Sequence, residues 1–249
     1  MNEPERTILC MKWGTLYSAE YVNVLFSACR AFMRGSFRFV CLTDDPQGLA
    51  EDIEHYPIPD IGLEPADYYH GAWPKISVFS ASLYGLSGRA LFIDLDSVIC
   101  GSLDDMFDYD GELVAIDSQP WGRRPGGPRT GTGVFSFNLG ALPDLVARIS
   151  KNRATVVEKY KIEQDYVHGE LENIQYWPQS WIRSYKYHLR RPPIVSWFFD
   201  AKTPPESAKI IAFHGRPRPI ELIRPESDRR YKLVSWMQDY WQSHGGSLS

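Results

Sequence analysis

The sequence predicts an α/β protein: one domain spanning residues 1–249, with a mostly parallel central sheet flanked by helices. Three observations lead there. Residues 7–42 read as strand, helix, strand, a βαβ unit whose crossover is expected to be right-handed. The strands in that unit are apolar throughout, the pattern of strands covered on both faces. Finally, Arg89-Ala-Leu-Phe-Ile-Asp-Leu-Asp-Ser-Val-Ile-Cys100 is an apolar strand that delivers two carboxylates, Asp94 and Asp96, to its carboxyl end. Open α/β sheets place their ligands at that edge.

The elements follow in order. Thr7–Met11 is the first strand, and Lys12–Tyr17 a loop. Ser18 can cap a helix whose apolar positions Tyr21, Val24, Leu25, Ala28 and Phe32 keep the helical period, and Gly35 ends it. Phe37–Leu42 is the second strand, running into the acidic turn Thr43–Pro46. A short strand and loop cover Ile53–Ile61, because Pro57, Pro59 and Pro65 discourage helix. Trp73–Leu86 returns to a helical pattern, with Pro74 suited to its first turn and Lys75 at its entrance. After the Asp94/Asp96 strand come a short helix near Leu103–Phe107 and a strand near Glu112–Ile116. Ser118–Thr130 is dense in Gly, Pro and Arg, a long loop of the kind that forms lids. Gly131–Asn138 alternates as a strand, and helices are expected over Leu142–Asn152 and Lys161–Leu171. Lys209–Phe213 is a buried strand ending in His214-Gly-Arg-Pro-Arg-Pro219, and a terminal helix is expected over Asp228–Trp241.

Composition narrows the function classes. With 27 basic and 31 acidic residues the net charge is -4, which removes a global electrostatic case for nucleic acid or a membrane surface. Cationic side chains are concentrated locally, Arg123, Arg124 and Arg129 in one loop and Arg216 and Arg218 in another. The four cysteines, Cys10, Cys29, Cys41 and Cys100, sit in apolar segments without metal-ligand spacing. The N-terminus lacks a basic start followed by an apolar core, and no segment reaches the ~20 apolar residues of a membrane span. A reducing cytoplasm is the expected setting. Aromatics at 14% can pack a core or line a site for flat rings and sugars.

Two carboxylates one residue apart at a strand end can hold a hard divalent cation and leave positions open for phosphate oxygens and water. If His214 arrives from its own strand end, the set Asp94, Asp96, His214 suits Mn²⁺ better than Ca²⁺. Trp13 and Tyr17 can stack on a flat ligand or pack. Asp44 and Asp45 can meet a ligand or form a turn, and Asp117 can touch a ligand or close a turn.

LFIDLDSVICGSL resembles the Asp-x-Asp segment of nucleotide-sugar-dependent glycosyltransferases of the GT-A fold, most nearly the glycogenin and lipopolysaccharide-galactosyltransferase group, family eight. GTGVFSFNLG resembles that family's Asn-Ser-Gly-Val strand, EQDYV its Asp-Gln-Asp segment and FHGRPRP its C-terminal His motif. The pieces stand in the family's order over residues 7–219. Gly131 and Glu163 depart from its usual Asn and Asp, and the His motif is shorter.

The resemblance implies a single Rossmann-like GT-A domain, with 1–117 as the nucleotide-binding half and 118–249 as the lid loop and the half that completes the metal and acceptor sites. It implies a UDP-sugar donor, Mn²⁺ or possible Mg²⁺ as cofactor, retention of configuration, and a saccharide, lipid-linked or protein acceptor. Lys12, Gly14, Thr15, Tyr17, Asp44, Lys75, Asp94, Arg216 and Arg218 are then donor contacts. Asp94, Asp96 and His214 are metal ligands, and Gln164 and Asp165 stand beside the reacting sugar. Two other classes compete: a haloacid-dehalogenase-type phosphatase using Asp94 and Asp96, and a catalytically silent nucleotide-sugar-binding protein. A phosphatase of that type usually opens with its acidic strand, whereas here a complete βαβ unit precedes it.

Overall fold

The computed structural model describes residues 5–121, 129–196, 198–224 and 231–248. Its centre is a seven-stranded sheet. The strands are β1 (Arg6–Lys12), β2 (Arg38–Thr43), β3 (Glu54–Tyr56), β4 (Arg89–Ile93), β6 (Leu113–Asp117), β7 (Thr130–Asn138) and β8 (Ile174–Tyr176). They lie in the order β3-β2-β1-β4-β7-β6-β8. β7 pairs antiparallel with both β4 and β6, and every other pairing is parallel, so one strand runs against the rest. A smaller three-stranded sheet joins β5 (Val98–Ile99), β10 (Ile210–Ala212) and β9 (Ile182–Ser184) in the order β5-β10-β9.

The continuous apolar runs of the strands have a direct structural cause. Ile8, Cys10, Phe39, Cys41, Leu91, Ile93, Val114 and Val134 face one apolar cluster, while Leu9, Met11, Val40, Leu42, Ala90, Phe92, Leu113 and Phe135 face the other. Successive side chains point to opposite sides of the sheet, and both sides are covered. The first side is packed by α1 (Ala19–Phe32), the small sheet and α7 (Ser235–Ser243). The second is packed by α3 (Pro143–Tyr160), α4 (Glu163–Glu170) and a 3₁₀ helix, Trp73–Phe79. Three short α-helices, α2 (Asp104–Phe107), α5 (Pro193–Ser196) and α6 (Pro219–Ile223), stand beside 3₁₀ turns at Pro65–Tyr68 and Gln119–Trp121 and a π-helical turn at Tyr185–Leu189.

Several elements differ from the sequence reading. The helix expected over Trp73–Leu86 is a 3₁₀ segment ending at Phe79, with every residue buried. Ala72 enters it in a left-handed conformation, and the Ser77 hydroxyl donates to the Pro74 carbonyl, competing for the acceptor an α-helix would need. α3 runs on to Tyr160 past its expected end at Asn152, where a residue at φ -136°, ψ 39° kinks the helix without terminating it. Ser18 occupies the N-cap of α1 but donates and accepts no capping side-chain bond. β8, β9 and α6 were not anticipated. In the long Gly/Pro/Arg loop, residues 122–128, including Arg123 and Arg124, lie outside the described residues, as do 225–230 at the expected start of the terminal helix.

Candidate active site

β1 and β4 are parallel neighbours, so the loops that follow them emerge side by side at the carboxyl edge of the sheet. β1 continues into Trp13–Tyr17, and β4 into Asp94–Asp96. Between them opens a cleft of about 720 Å³, lined by Trp13, Gly14, Thr15, Tyr17, Tyr68, Tyr69, Lys75, Asp94, Asp96 and Arg218. That volume falls within the usual range for small-molecule sites. Gly14 has φ +59°, a conformation that a side chain would strain, which lets the loop turn sharply at the cleft wall. Trp13 is fixed by its indole N–H donating to the Tyr68 carbonyl at 2.6 Å.

The cleft floor is a charge cluster. The Lys75 ammonium lies 2.7 Å from Asp94 Oδ1 and 2.8 Å from Oδ2, and 3.6 Å from Glu163 Oε1. It also donates to the Thr132 carbonyl at 3.3 Å, while the Thr132 hydroxyl donates to Glu163. The Asp94 amide donates to the Gly133 carbonyl at 2.8 Å, tying the turn after β4 to β7. Asp96, only 9% exposed, accepts from the Tyr17 hydroxyl at 3.0 Å.

Burial dominates the electrostatics. It raises Asp94 above the usual carboxylate range, although Lys75 pulls the other way. It pushes Asp96 up to about 7, with the Asp94 charge adding to the effect. Glu163 is raised for the same first reason. Burial opposes the charge on Lys75, but Asp94 and Glu163 outweigh it and hold the amine protonated. Tyr17 is raised by burial and then by the Asp96 and Asp94 charges, so its hydroxyl stays a donor.

The structure therefore brings Gly14, Thr15, Tyr17, Lys75, Asp94, Asp96 and Arg218 to one cleft. The remaining candidates lie elsewhere. Lys12 is buried and donates to the Asp45 carbonyl at 2.9 Å, and Asp44 accepts from the Gly14 amide at 2.9 Å. Both shape the wall without lining it. Arg216 lies outside the lining, whereas Arg218 lines the cleft and also pairs with Glu221 at 3.1 Å. Gln164 and Asp165 lie on α4 immediately after Glu163, outside the cleft lining. One Asp165 carboxylate oxygen is buried without a hydrogen-bond partner. Asp117 pairs with Arg129 at 2.8 Å and accepts from the Gln119 amide, a turn role.

His214 follows β10, which pairs with β5 directly after Asp96. Among the described residues no group of three or more His, Cys, Asp or Glu is placed to hold a metal. The His214 Nε2 is 2.7 Å from the Ser184 hydroxyl. Its ring is stacked between Trp121 and Tyr187, with centroids 5.7 and 5.3 Å away. Burial lowers its basicity, helped by the Lys186 charge. The strand before it belongs to the small sheet, which turns the imidazole toward β9.

Sequence reasoning missed Glu163, Thr132, Tyr68 and Tyr69 as parts of the site. Glu163 was visible as the departure in EQDYV, and its length lets it reach Lys75 from the first turn of α4.

A seven-stranded sheet of this order, with one reversed strand and an acidic turn after the fourth strand, is the GT-A fold. Solved structures bear this out over the whole chain. The galactosyltransferase LgtC, solved with donor and acceptor sugar analogues, is similar at a TM-score of 0.67 and 15% identity, with 97% of each chain covered. GlyE, a glycosyltransferase of Streptococcus pneumoniae TIGR4, gives a TM-score of 0.61 at 12% identity, covering 98% of this chain and 62% of GlyE. The bifunctional glycosyltransferase WbbM gives 0.58 at 10%, covering 99% of this chain and 50% of WbbM. No protein-family model matches the sequence, and no curated protein matches it.

Proposed function

We propose that this chain is a metal-dependent glycosyltransferase that moves a hexose from a UDP-sugar to a saccharide, lipid-linked or protein acceptor, with retention of configuration, in the cytoplasm. The observation that carries the reading is the charge on the cleft floor. Asp94, Asp96 and Glu163 bring three carboxylates to one cationic side chain, Lys75, at the ligand edge of a GT-A sheet. A diphosphate entering alone would meet net negative charge. Two neighbouring buried carboxylates, both pushed toward protonation, are a hard oxygen donor set that fits a divalent cation.

Asp94 and Asp96 would hold Mn²⁺ or Mg²⁺, with His214, past the strand paired to β5, as the third ligand on this reading. When bound, the ion supplies positive charge against the diphosphate as the bond from sugar to phosphate breaks. Lys75 and Arg218 place further positive charge at the leaving group, in a recess where such charges act more strongly than in water. Trp13, Tyr17, Tyr68 and Tyr69 offer ring faces to the base, and the Gly14–Thr15 backbone allows close approach. Tyr17 holds Asp96 in place through its hydroxyl. Gln164 and Asp165, which follow Glu163 on α4, are the residues this reading assigns to the reacting sugar.

Thermal unfolding with UDP, Mn²⁺, both or neither tests the reading, followed by Mn²⁺-dependent hydrolysis across a set of UDP-sugars. Joint stabilisation by UDP and Mn²⁺ together with sugar release is expected. Joint stabilisation without hydrolysis or transfer would leave a silent nucleotide-sugar binder. Phosphate release from small phosphomonoesters without UDP binding would replace the reading with a phosphatase.

A further inference from the structure

A second surface carries chemistry that sugar transfer does not use. Residues 183–202 contain five basic side chains, Arg183, Lys186, Arg190, Arg191 and Lys202, against one acidic, Asp200, in a chain of net charge -4. The segment is a cationic island on an acidic protein. It also exposes large apolar side chains: Ile194 and Phe198 at 75% and Phe199 at 61%, with Val195 and Tyr187 exposed as well. Among the described residues, the other exposed large apolar side chains are accounted for. Leu16 and Tyr69 line the cleft, and Tyr84 stacks on Tyr56 with centroids 4.5 Å apart.

The cationic and apolar groups are interleaved. The Arg191 guanidinium lies 5.7 Å from the Phe199 ring. Arg190, Arg191 and Phe199 border one shallow hollow, and the Lys202 amide donates to the Leu189 carbonyl at 3.0 Å, returning the chain to the same side. Exposed apolar patches of this kind mark docking surfaces. Basic residues around aromatic and aliphatic wedges match an anionic bilayer, whose headgroups attract the cations while its acyl boundary accepts the apolar tips. Ile194 and Val195 lack the ring faces that stacking on nucleic-acid bases requires.

We propose that the surface formed by residues 186–196 and 198–202 docks this protein peripherally onto an anionic lipid surface, with Ile194, Phe198 and Phe199 entering the interface and Lys186, Arg190 and Lys202 facing headgroup phosphates. The proposal stands apart from the sugar-transfer reading, since none of these residues lines the cleft.

The test is flotation of the full chain with vesicles of phosphatidylcholine alone or mixed with phosphatidylglycerol, at low and high salt. Binding to the anionic vesicles only, released by salt, is expected. One variant combines Ile194→Ser, Phe198→Ser and Phe199→Ser; a second combines Lys186→Glu and Arg190→Glu. All five side chains are exposed, so both variants should keep the parent thermal midpoint while losing about tenfold or more of vesicle partition. Failure of the parent protein to bind anionic vesicles overturns the proposal. So does undiminished binding by both variants. A concentration-dependent dimer that the triple-serine variant dissolves, without vesicle binding, would instead assign the patch to self-association.

Discussion

Replacing Asp96 by Asn should stabilise the metal-free protein, and the gain should grow with pH. Asp96 is 9% exposed, and burial with the Asp94 charge lifts its pKa from 3.8 to about 7. The folded state therefore holds the proton more tightly than the unfolded chain. The stabilising contribution of the protonated acid is complete below the unfolded value and is lost as pH rises through about 7. A rise of roughly 3 units at about 1.4 kcal/mol each makes the ionised side chain cost on the order of 4 kcal/mol at pH 8. At pH 5 the corresponding cost is on the order of 2 kcal/mol, so the advantage of Asn should widen by about 2 kcal/mol between those pH values. Asn can still accept from the Tyr17 hydroxyl. Urea unfolding of both proteins at pH 5, 6, 7 and 8 in EDTA measures the difference, with a midpoint shift approaching 1 M across the range. An offset independent of pH, or an Asn protein less stable at pH 8, would refute the argument that ionised Asp96 is held at a cost.

Further outcomes follow from the same cluster. Lys75→Met leaves Asp94 and Glu163 buried without their cation and should cost about 3–5 kcal/mol in urea unfolding, less at low pH where both acids are protonated. Mn²⁺ should raise the thermal midpoint of the parent protein more at pH 8 than at pH 5.5, and hardly move that of Asp96→Asn. Asp96→Asn should also bind UDP more tightly than the parent in EDTA while losing the Mn²⁺-dependent gain, both readable by calorimetry. His214→Ala should lower stability by about 1–3 kcal/mol, read by urea unfolding, through loss of the stack between Trp121 and Tyr187.

The βαβ opening and the acidic turn after β4 were legible because their causes are local. β1, β2 and β4 are covered on both sheet faces, so every position had to be apolar, and such a run can end in charge only at a sheet edge. The 3₁₀ segment Trp73–Phe79 misled for a related reason. Burial all round produces apolar residues at helical spacing without an α-helix, and serine side chains took backbone acceptors that the spacing does not record. β8 and β9 are three-residue strands, too short to establish a period. In the site, Lys75 could be placed from its position before a buried segment, but its pairing with Glu163 depends on packing α4 against β7, a non-local event. His214 stands just past β10, which pairs with β5 directly after Asp96, and its ring rests against Ser184, Trp121 and Tyr187, contacts that sequence spacing does not record.

The cleft thus joins an excess of negative charge to a fold whose relatives in shape handle sugars. Lys75 binds both oxygens of Asp94 and leans toward Glu163, so its single charge is already shared between two acids. Arg218 is likewise divided between the cleft wall and buried Glu221. Neither cation is free to meet a diphosphate without abandoning a carboxylate in a desolvated place. On the proposed reading Asp94 and Asp96 would hold a divalent ion whose charge offsets theirs, and Lys75, kept in the cleft by Glu163, would be available to phosphate. Glu163 would then be the side chain that keeps Lys75 in the cleft, which its 3.6 Å approach to the ammonium already permits.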